Sequence, residues 1–252
     1  MRPLSTALLL LAVAGSAHAE DPPGFDRPGL GFSTDTVKPG ALALELGFPG
    51  YERARDESGA LTRETSSTLL LRTGLITGLE LQLSSSPWNR LRTSPDGAAR
   101  TTDRGAGDTG VAVKWAGPGS NDRTAWALRG SAVVAPGDSA FSDGRQYALA
   151  ASIEHHIDDR WTAAFFASHQ RGGGEYSTTW APSISLQATE RLGLFAEAGY
   201  TTSRDAPHEA VAGAGLTWAL TQRVQLDASF DLGLDEKSPD LQAGLGISVY
   251  LD

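Results

Sequence analysis

Residues 224 to 233 read VQLDASFDLG, a stretch whose polarity alternates from one residue to the next. Every second residue from Val224 is apolar, and the residues between are polar or glycine, so Asp227 and Asp231 point away from the apolar face. Residues 241 to 251 repeat the pattern in LQAGLGISVYL. A period of two residues is typical of a β-strand whose two faces meet different surroundings. Both stretches are therefore predicted to be strands with one apolar face.

The same alternation recurs along most of the chain, whereas a helical period of 3.6 residues is scarce. Ten further segments show it, which predicts twelve strands. Their expected bounds are 41–48, 65–76, 79–87, 108–116, 123–134, 145–157, 160–169, 177–188, 191–201, 209–220, 224–233 and 241–251.

The connections between these segments also alternate. One set is tight, at 77–78, 117–122, 158–159, 189–190 and 221–222. The other set is generally longer and richer in polar residues or glycine, at 49–64, 88–107, 135–144, 170–176, 202–208 and 234–240. Short turns at one rim and long loops at the other are typical of bacterial outer-membrane barrels.

The N-terminus predicts export. Arg2 precedes the apolar run Leu8–Gly15, and Ala17-His18-Ala19 is a small-x-small cleavage site, so residues 1–19 are predicted to be a signal peptide. After the signal peptide the sequence has no run of about 18 apolar residues, so no transmembrane helix is predicted.

The chain has no cysteine, so burial or the hydrogen bonds of a closed sheet must hold the fold together. A net charge of -9 without a basic stripe excludes nucleic acid as a partner.

An even number of strands that closes on itself satisfies every backbone group in lipid. We therefore predict an all-β fold, a twelve-stranded antiparallel transmembrane β-barrel over residues 41–252, with short periplasmic turns, longer external loops and both termini in the periplasm. Expected partners are the lipid of the bacterial outer membrane and the barrel-insertion machinery. Aromatic residues near the strand ends of the apolar face favour this barrel over a soluble sandwich. The predicted girdle is Phe48, Trp115, Trp126, Tyr147, Trp161, Trp180, Tyr200 and Trp218.

The opposite face of the strands is polar and would line the lumen. Twelve strands fall between the roughly eight of a filled barrel and the sixteen or more of an open porin, so a narrow, partly obstructed channel is expected. Six of the nine charged residues on this face are acidic, which predicts a mild cation preference. The predicted pore-lining residues are Glu45, Arg72, Glu80, Lys114, Arg129, Glu154, Glu197, Asp227 and Asp231.

Residues 20–40, EDPPGFDRPGLGFSTDTVKPG, separate the signal peptide from the first strand. Their prolines and glycines suit neither a helix nor a central strand. Phe25 and Phe32 stand in an otherwise polar tract, which suggests a segment that folds into the lumen and constricts it. A loose periplasmic tail is the alternative hypothesis.

Three local motifs resemble nucleotide, metal or acid–base sites, but their context in the sequence does not favour such sites. GAGDTG, residues 105–110, has the glycine spacing of a dinucleotide site, but an alternating strand follows it instead of the helix that would hold a phosphate. His155 and His156 are adjacent in a strand and point to opposite faces, so they cannot chelate one metal ion together. Asp227 and Asp231 share a face and could act as acid and base, although a polar lining is their commoner role. No cofactor and no metal site is expected.

Three stretches carry a family resemblance: GAGDTGVAVKW (105–115), VVAPGDSAFSDG (133–144) and WAPSISLQATERLGLFAEAGY (180–200). They resemble the outer-membrane transporter family named after the MetA pathway of phenol degradation, and the likeness extends from about residue 31 to the end. The resemblance implies an outer-membrane channel that admits small, often aromatic or hydrophobic, compounds. The chain departs from the common outer-membrane pattern at its end, where VYLD lacks a terminal aromatic residue.

The expected function is passive uptake of small solutes, without enzymatic activity. Two alternatives stay open: a structural barrel whose inner charges pair and fill the lumen, and an outer-membrane lipid hydrolase. A hydrolase would need a serine activated by a histidine at the lipid-facing surface. The His-x-Ser-Asn-Gly pattern of such barrels is missing from the sequence, since His169 is followed by Gln-Arg-Gly.

Overall fold

Antiparallel strands form one sheet in the computed structural model, which describes residues 22–55, 58–95, 97, 99–118, 123–204 and 207–252. The predicted signal peptide lies outside the described residues. The strands are β1 (Leu42–Arg55), β2 (Leu61–Ile76), β3 (Leu79–Ser85), β4 (Asn89–Ser94), β5 (Thr101–Gly105), β6 (Thr109–Ala116), β7 (Thr124–Ala135), β8 (Gln146–His156), β9 (Trp161–Gly172), β10 (Glu175–Gln187), β11 (Leu192–Ser203), β12 (Glu209–Thr221), β13 (Val224–Gly233) and β14 (Leu241–Leu251).

The sheet closes on itself because β1 pairs with both β14 and β2. β3 pairs with the periplasmic half of β2, and β4 pairs with the external half. β3 and β4 therefore lie one above the other and together occupy one strand position in the wall. β6 pairs with β3 and β5 pairs with β4, so these two strands together occupy the next position. Twelve wall positions result, which confirms the predicted twelve-stranded antiparallel barrel.

The strands run further at the external rim than the sequence predicts. The expected loop at 49–64 is largely a hairpin of β1 and β2, and the expected loop at 88–107 contains β4 and β5. The loops predicted at 170–176 and 202–208 shorten in the same way, since β9 reaches Gly172 and β11 reaches Ser203. Beyond the bilayer both faces of a hairpin meet water, so strand pairing continues where apolar alternation has ended.

Between the two rims, the barrel wall has its apolar residues outside and its charges inside. Leu149 and Phe48 are 63% and 61% exposed, whereas Arg72, Glu80 and Lys114 are completely buried. This arrangement suits a wall whose outer solvent is lipid. No helix in the described ranges is long and apolar enough to cross a membrane.

The predicted girdle residues all project from the outer face. Trp115 and Trp126 meet edge to face near the periplasmic turns, with ring centroids 5.4 Å apart. Trp180 and Tyr200 stack near the external rim, with centroids 6.3 Å apart. Trp88, which lies in a predicted loop, joins the external girdle by packing against Phe48, with ring centroids 5.9 Å apart.

The short periplasmic turns are held by side chains that accept backbone hydrogen bonds. Asp158 Oδ1 accepts the N–H groups of Arg160 and Trp161, each at 2.8 Å, and these bonds lower the pKa of Asp158. Thr189 and Thr221 accept equivalent bonds in two other turns. These contacts explain why Asp or Thr recurs two residues before an arginine in IDDRW, ATERL and LTQRV.

Candidate functional site in the lumen

The inner face of neighbouring strands carries a compact group of charges. The register places Glu80 of β3 opposite Lys114 of β6, and Lys114 opposite Arg129 of β7. Arg72 of β2 donates from Nε to Glu80 Oε1 and from Nη1 to Glu45 Oε1, both at 2.9 Å. Because this group contains three cations and two anions, the wall alone holds one surplus positive charge here.

Asp26, which precedes β1, supplies the missing negative charge. Its Oδ1 lies 2.8 Å from Lys114 Nζ and 3.3 Å from Arg72 Nη1. Its Oδ2 lies 3.8 Å from Arg129 Nη1 and accepts a hydrogen bond from Gln82 Nε2 at 2.9 Å. A buried charge is tolerated only when it is paired, so these contacts hold Asp26 against the wall. We call Asp26, Glu45, Arg72, Glu80, Lys114 and Arg129 the charge cluster.

Arg27, the next residue, points along the wall toward β13. Its Nη2 lies 3.0 Å from Asp227 Oδ1 on β13, and its backbone N–H donates to Glu45 Oε2 at 2.8 Å. The contact with Arg27 gives the Asp227 carboxylate an ionic partner, whereas Asp231 Oδ1 has no hydrogen-bond partner among the described residues.

The rest of the N-terminal segment, which we define as residues 22–40, follows the inner wall without regular secondary structure. Wall carboxylates satisfy its backbone N–H groups, as buried donors require. These bonds run from the N–H of Leu30 to Glu197 Oε2 (2.8 Å), from the N–H and hydroxyl of Thr34 to Glu154 (3.0 and 3.1 Å), and from the N–H of Val37 to Glu80 Oε2 (2.7 Å).

The two phenylalanines of the N-terminal segment make its apolar contacts. Phe32 packs edge to face on Phe166 of β9, with ring centroids 5.7 Å apart. The Arg129 guanidinium lies 4.3 Å from the centre of the Phe32 ring, within the range of a cation–π contact. Phe25 packs against a second buried cluster that includes Tyr250. These aromatic rings therefore add apolar burial to the ionic contacts.

Gly74 of β2 allows the segment to approach the wall closely. A Cβ at this position would overlap the backbone oxygens of Val37 and Lys38. The neighbouring Pro39 forms a parallel bridge to Gly74. A glycine is required here because another backbone passes where a side chain would stand.

Two cavities flank the N-terminal segment. The first, of about 510 Å³, extends toward the periplasmic turns and is lined by Glu154, His156 and Glu197 among others. The second, of about 320 Å³, extends toward the external rim and is lined by Glu52 and Glu64 among others. Residues 27–29 border both cavities and therefore lie between them.

Two inner carboxylates next to these cavities, Glu197 and Asp231, form no ion pair with any residue that the structure describes. The register aligns Glu197 of β11 and Asp231 of β13 on either side of Gly213 of β12. Among the described residues, Glu197 Oε1 and Asp231 Oδ1 are buried oxygens without a hydrogen-bond partner. This part of the lumen is therefore electronegative, in contrast to the balanced charge cluster.

All nine predicted pore-lining side chains thus project inward, but the structure divides them. Glu45, Arg72, Glu80, Lys114 and Arg129 belong to the charge cluster, whereas Glu154, Glu197, Asp227 and Asp231 lie along the other side. Asp26 and Arg27 are not among the predicted residues, because alternation identifies only residues of strands. Within the first five predicted strands, three inner cations face two inner anions, and this local surplus of one cation was the signal that could have pointed to Asp26.

The adjacent histidines act independently, as expected from their opposite directions. His155 Nδ1 shares a hydrogen bond with Thr124 Oγ1 and His156 Nδ1 with Thr162 Oγ1, each at 2.8 Å. In the part of the chain that the structure describes, no group of three or more His, Asp or Glu residues is arranged to hold a metal ion.

The sequence profile of a family described as putative MetA-pathway of phenol degradation matches residues 25–251. The chain belongs to this family. The match spans the barrel and most of the N-terminal segment, and it confirms the resemblance carried by residues 105–115, 133–144 and 180–200. A comparison with curated proteins finds no match.

Several solved structures share the fold of this family member. The COG4313 outer membrane channel from Pseudomonas putida F1 has a TM-score of 0.69 and 13% identity, covering 86% of this chain and 97% of that one. The KdgM porin in complex with disordered oligogalacturonate has a TM-score of 0.54 and 11% identity, covering 83% and 98%. The translocator domain of the autotransporter NalP from Neisseria meningitidis has a TM-score of 0.53 and 12% identity, covering 83% and 87%. The shared fold is that of outer-membrane β-barrels, which agrees with the predicted location.

Proposed function

We propose that the protein is a passive outer-membrane channel for small solutes, and that the N-terminal segment narrows its lumen. The observation that carries this proposal is the pair of cavities that meet at residues 27–29, one extending to each rim. Cavities of a few hundred cubic ångströms have the size of small-molecule sites. A solute would therefore pass from one cavity to the other beside the segment or after its displacement.

The proposed solutes are small, with aromatic or hydrophobic compounds as the first class to test. The family description and the cavity volumes support this class. Glu154, Glu197 and Asp231 support a preference for cationic solutes, because their negative charges border the cavities. A lumen lined by one sign of charge concentrates ions of the opposite sign.

Liposome swelling tests both parts of the proposal. Phenyltrimethylammonium and benzenesulfonate have similar sizes and carry permanent charges of opposite sign, so neither crosses lipid as a neutral form. Proteoliposomes should swell in both solutes and faster in the cation. Swelling no faster than that of protein-free liposomes, in either solute or in a small sugar, would refute a channel.

A structural barrel with a filled lumen is the second candidate. The complete burial of Arg72, Glu80 and Lys114 favours it, because paired charges exclude water from that side of the lumen. The two candidates differ in swelling, since a filled barrel admits no solute. A lipid hydrolase has weaker support. Labelling of a serine by an acylating probe would be the evidence in favour of this third candidate.

A further inference from the structure

Five arginines cluster on the outer face of the barrel at the external rim, outside the lumen. The register aligns Arg53 of β1 with Arg63 of β2, and Arg63 with Arg92 of β4. It also aligns Arg90 of β4 with Arg104 of β5. We call these five residues the arginine face.

The orientation of the arginine face follows from the neighbours of its members in the chain. Glu52 and Glu64 adjoin Arg53 and Arg63, and both glutamates line the external cavity inside the barrel. Consecutive strand residues point to opposite faces, so the arginines point outward. Asp103 pairs in register with Leu91 and lies on the other face of its hairpin from Arg90 and Arg104.

The positive charge of the arginine face is largely uncompensated within the protein. Arg53 contacts Asp240, with Nε 3.2 Å from Oδ2, in a pair that is exposed to solvent. Across the described ranges, the other four arginines form no ion pair, and the buried Nε of Arg90 has no hydrogen-bond partner. Like charges directly opposite on neighbouring strands are destabilising. The chain as a whole has a net charge of -9, so this local excess of positive charge is a suitable binding surface for an external anion.

The depth of the arginine face indicates what that anion is. Trp88, with Phe48, marks the external girdle, and Arg90 and Arg92 follow it by two and four residues. Strand residues rise about 3.3 Å each at a tilt of about 40°, which places Arg90 about 5 Å and Arg92 about 10 Å beyond the girdle. The headgroup layer on each side of a bilayer is about 5–8 Å deep. The arginine face therefore begins within that layer and reaches its outer edge.

We propose that the arginine face binds phosphate-bearing headgroups of the outer-leaflet lipid, while Phe48 and Trp88 contact the acyl chains below. Guanidinium groups match phosphate oxygens in a bidentate geometry, and several phosphates bridging the rows would remove the repulsion between arginines. The binding surface lies outside the lumen and does not depend on solute passage.

Native mass spectrometry of the mature protein in a neutral detergent tests this proposal. The probes are phosphatidic acid and phosphatidylcholine, which carry an exposed and a choline-capped phosphate respectively. The wild-type protein should retain phosphatidic acid at least tenfold more than phosphatidylcholine. The double variant Arg63→Gln with Arg92→Gln should lose this preference by about tenfold, because one row of the arginine face loses two of its three cations.

The matched control is Arg145→Gln with Arg171→Gln, which removes the same charge at the same end of the barrel but away from the arginine face. It should retain phosphatidic acid within twofold of wild type, and Arg63→Lys with Arg92→Lys should retain it partly. Heat-modifiable migration on a gel verifies that each variant folds. Equal loss in the control pair, or displacement of the lipid by millimolar inorganic phosphate, would overturn a lipid-specific site. Equal retention of the two lipids by wild type would overturn it as well.

Discussion

The substitution Asp26→Asn should release the N-terminal segment without opening the barrel wall. Removing one partner of a buried ion pair costs about 3–5 kcal/mol. The lower end applies, because Lys114 keeps Glu80 at 3.3 Å and Arg72 keeps both of its glutamates. A loss of about 3 kcal/mol corresponds to roughly a 150-fold shift of the equilibrium from the docked to the released segment.

Cysteine labelling measures that equilibrium directly, because the chain has no cysteine of its own. Thr34 is only 3% exposed, so Thr34→Cys should react slowly with a maleimide while the segment is docked. Adding Asp26→Asn should raise the labelling rate roughly 150-fold. The control is Asp35→Asn in the same background, since within the described part of the chain the exposed Asp35 side chain accepts one hydrogen bond, from the N–H of Gly24. If Asp26→Asn labels as slowly as this control, the charge cluster does not hold the segment.

Three further predictions concern the lumen and the wall. Gly74→Ala should accelerate the labelling of a cysteine at position 34, because its Cβ would overlap Val37 and Lys38, whereas Gly130→Ala, with no atom near its Cβ, should leave the rate unchanged. Glu197→Gln combined with Asp231→Asn should reduce cation preference, seen as a reversal potential closer to zero in a salt gradient; an unchanged potential would contradict the proposed role of these carboxylates. The unheated protein should migrate faster than the heated protein on a denaturing gel, since a closed hydrogen-bonded barrel resists detergent, and a single band position would argue against the barrel.

The sequence predicted the strands wherever the two faces of a strand meet different surroundings. Residues 224–233 and 241–251, for example, form β13 and β14 within these bounds. The hairpin of β4 and β5 was missed because neither of its faces is apolar, so RLRTS and TTDRG show no continuous apolar face that would reveal a strand. Trp88 fell within the same predicted loop, although its aromatic character matches the girdle.

The sequence predicted which side chains point into the lumen, but not which of them contact one another. Period-two alternation placed Lys114 and Arg129 on the inner face, but only the register shows that they stand side by side. Asp26 lies in a segment without periodicity, so no local pattern indicates that it reaches both of them. Asp26 and Lys114 are 88 residues apart in the chain, so no short sequence motif indicates their contact.

The conductance of a truncated channel tests whether the N-terminal segment narrows the lumen. Deleting residues 20–36 from the mature chain removes Asp26, Arg27, Phe32 and Thr34, and with them most contacts between the segment and the wall. In planar bilayers the truncated protein should show a clearly larger single-channel conductance than the full mature chain, because the two cavities would then merge. A folded, heat-modifiable truncated barrel that conducts no more than the full chain would show that the segment does not narrow the lumen.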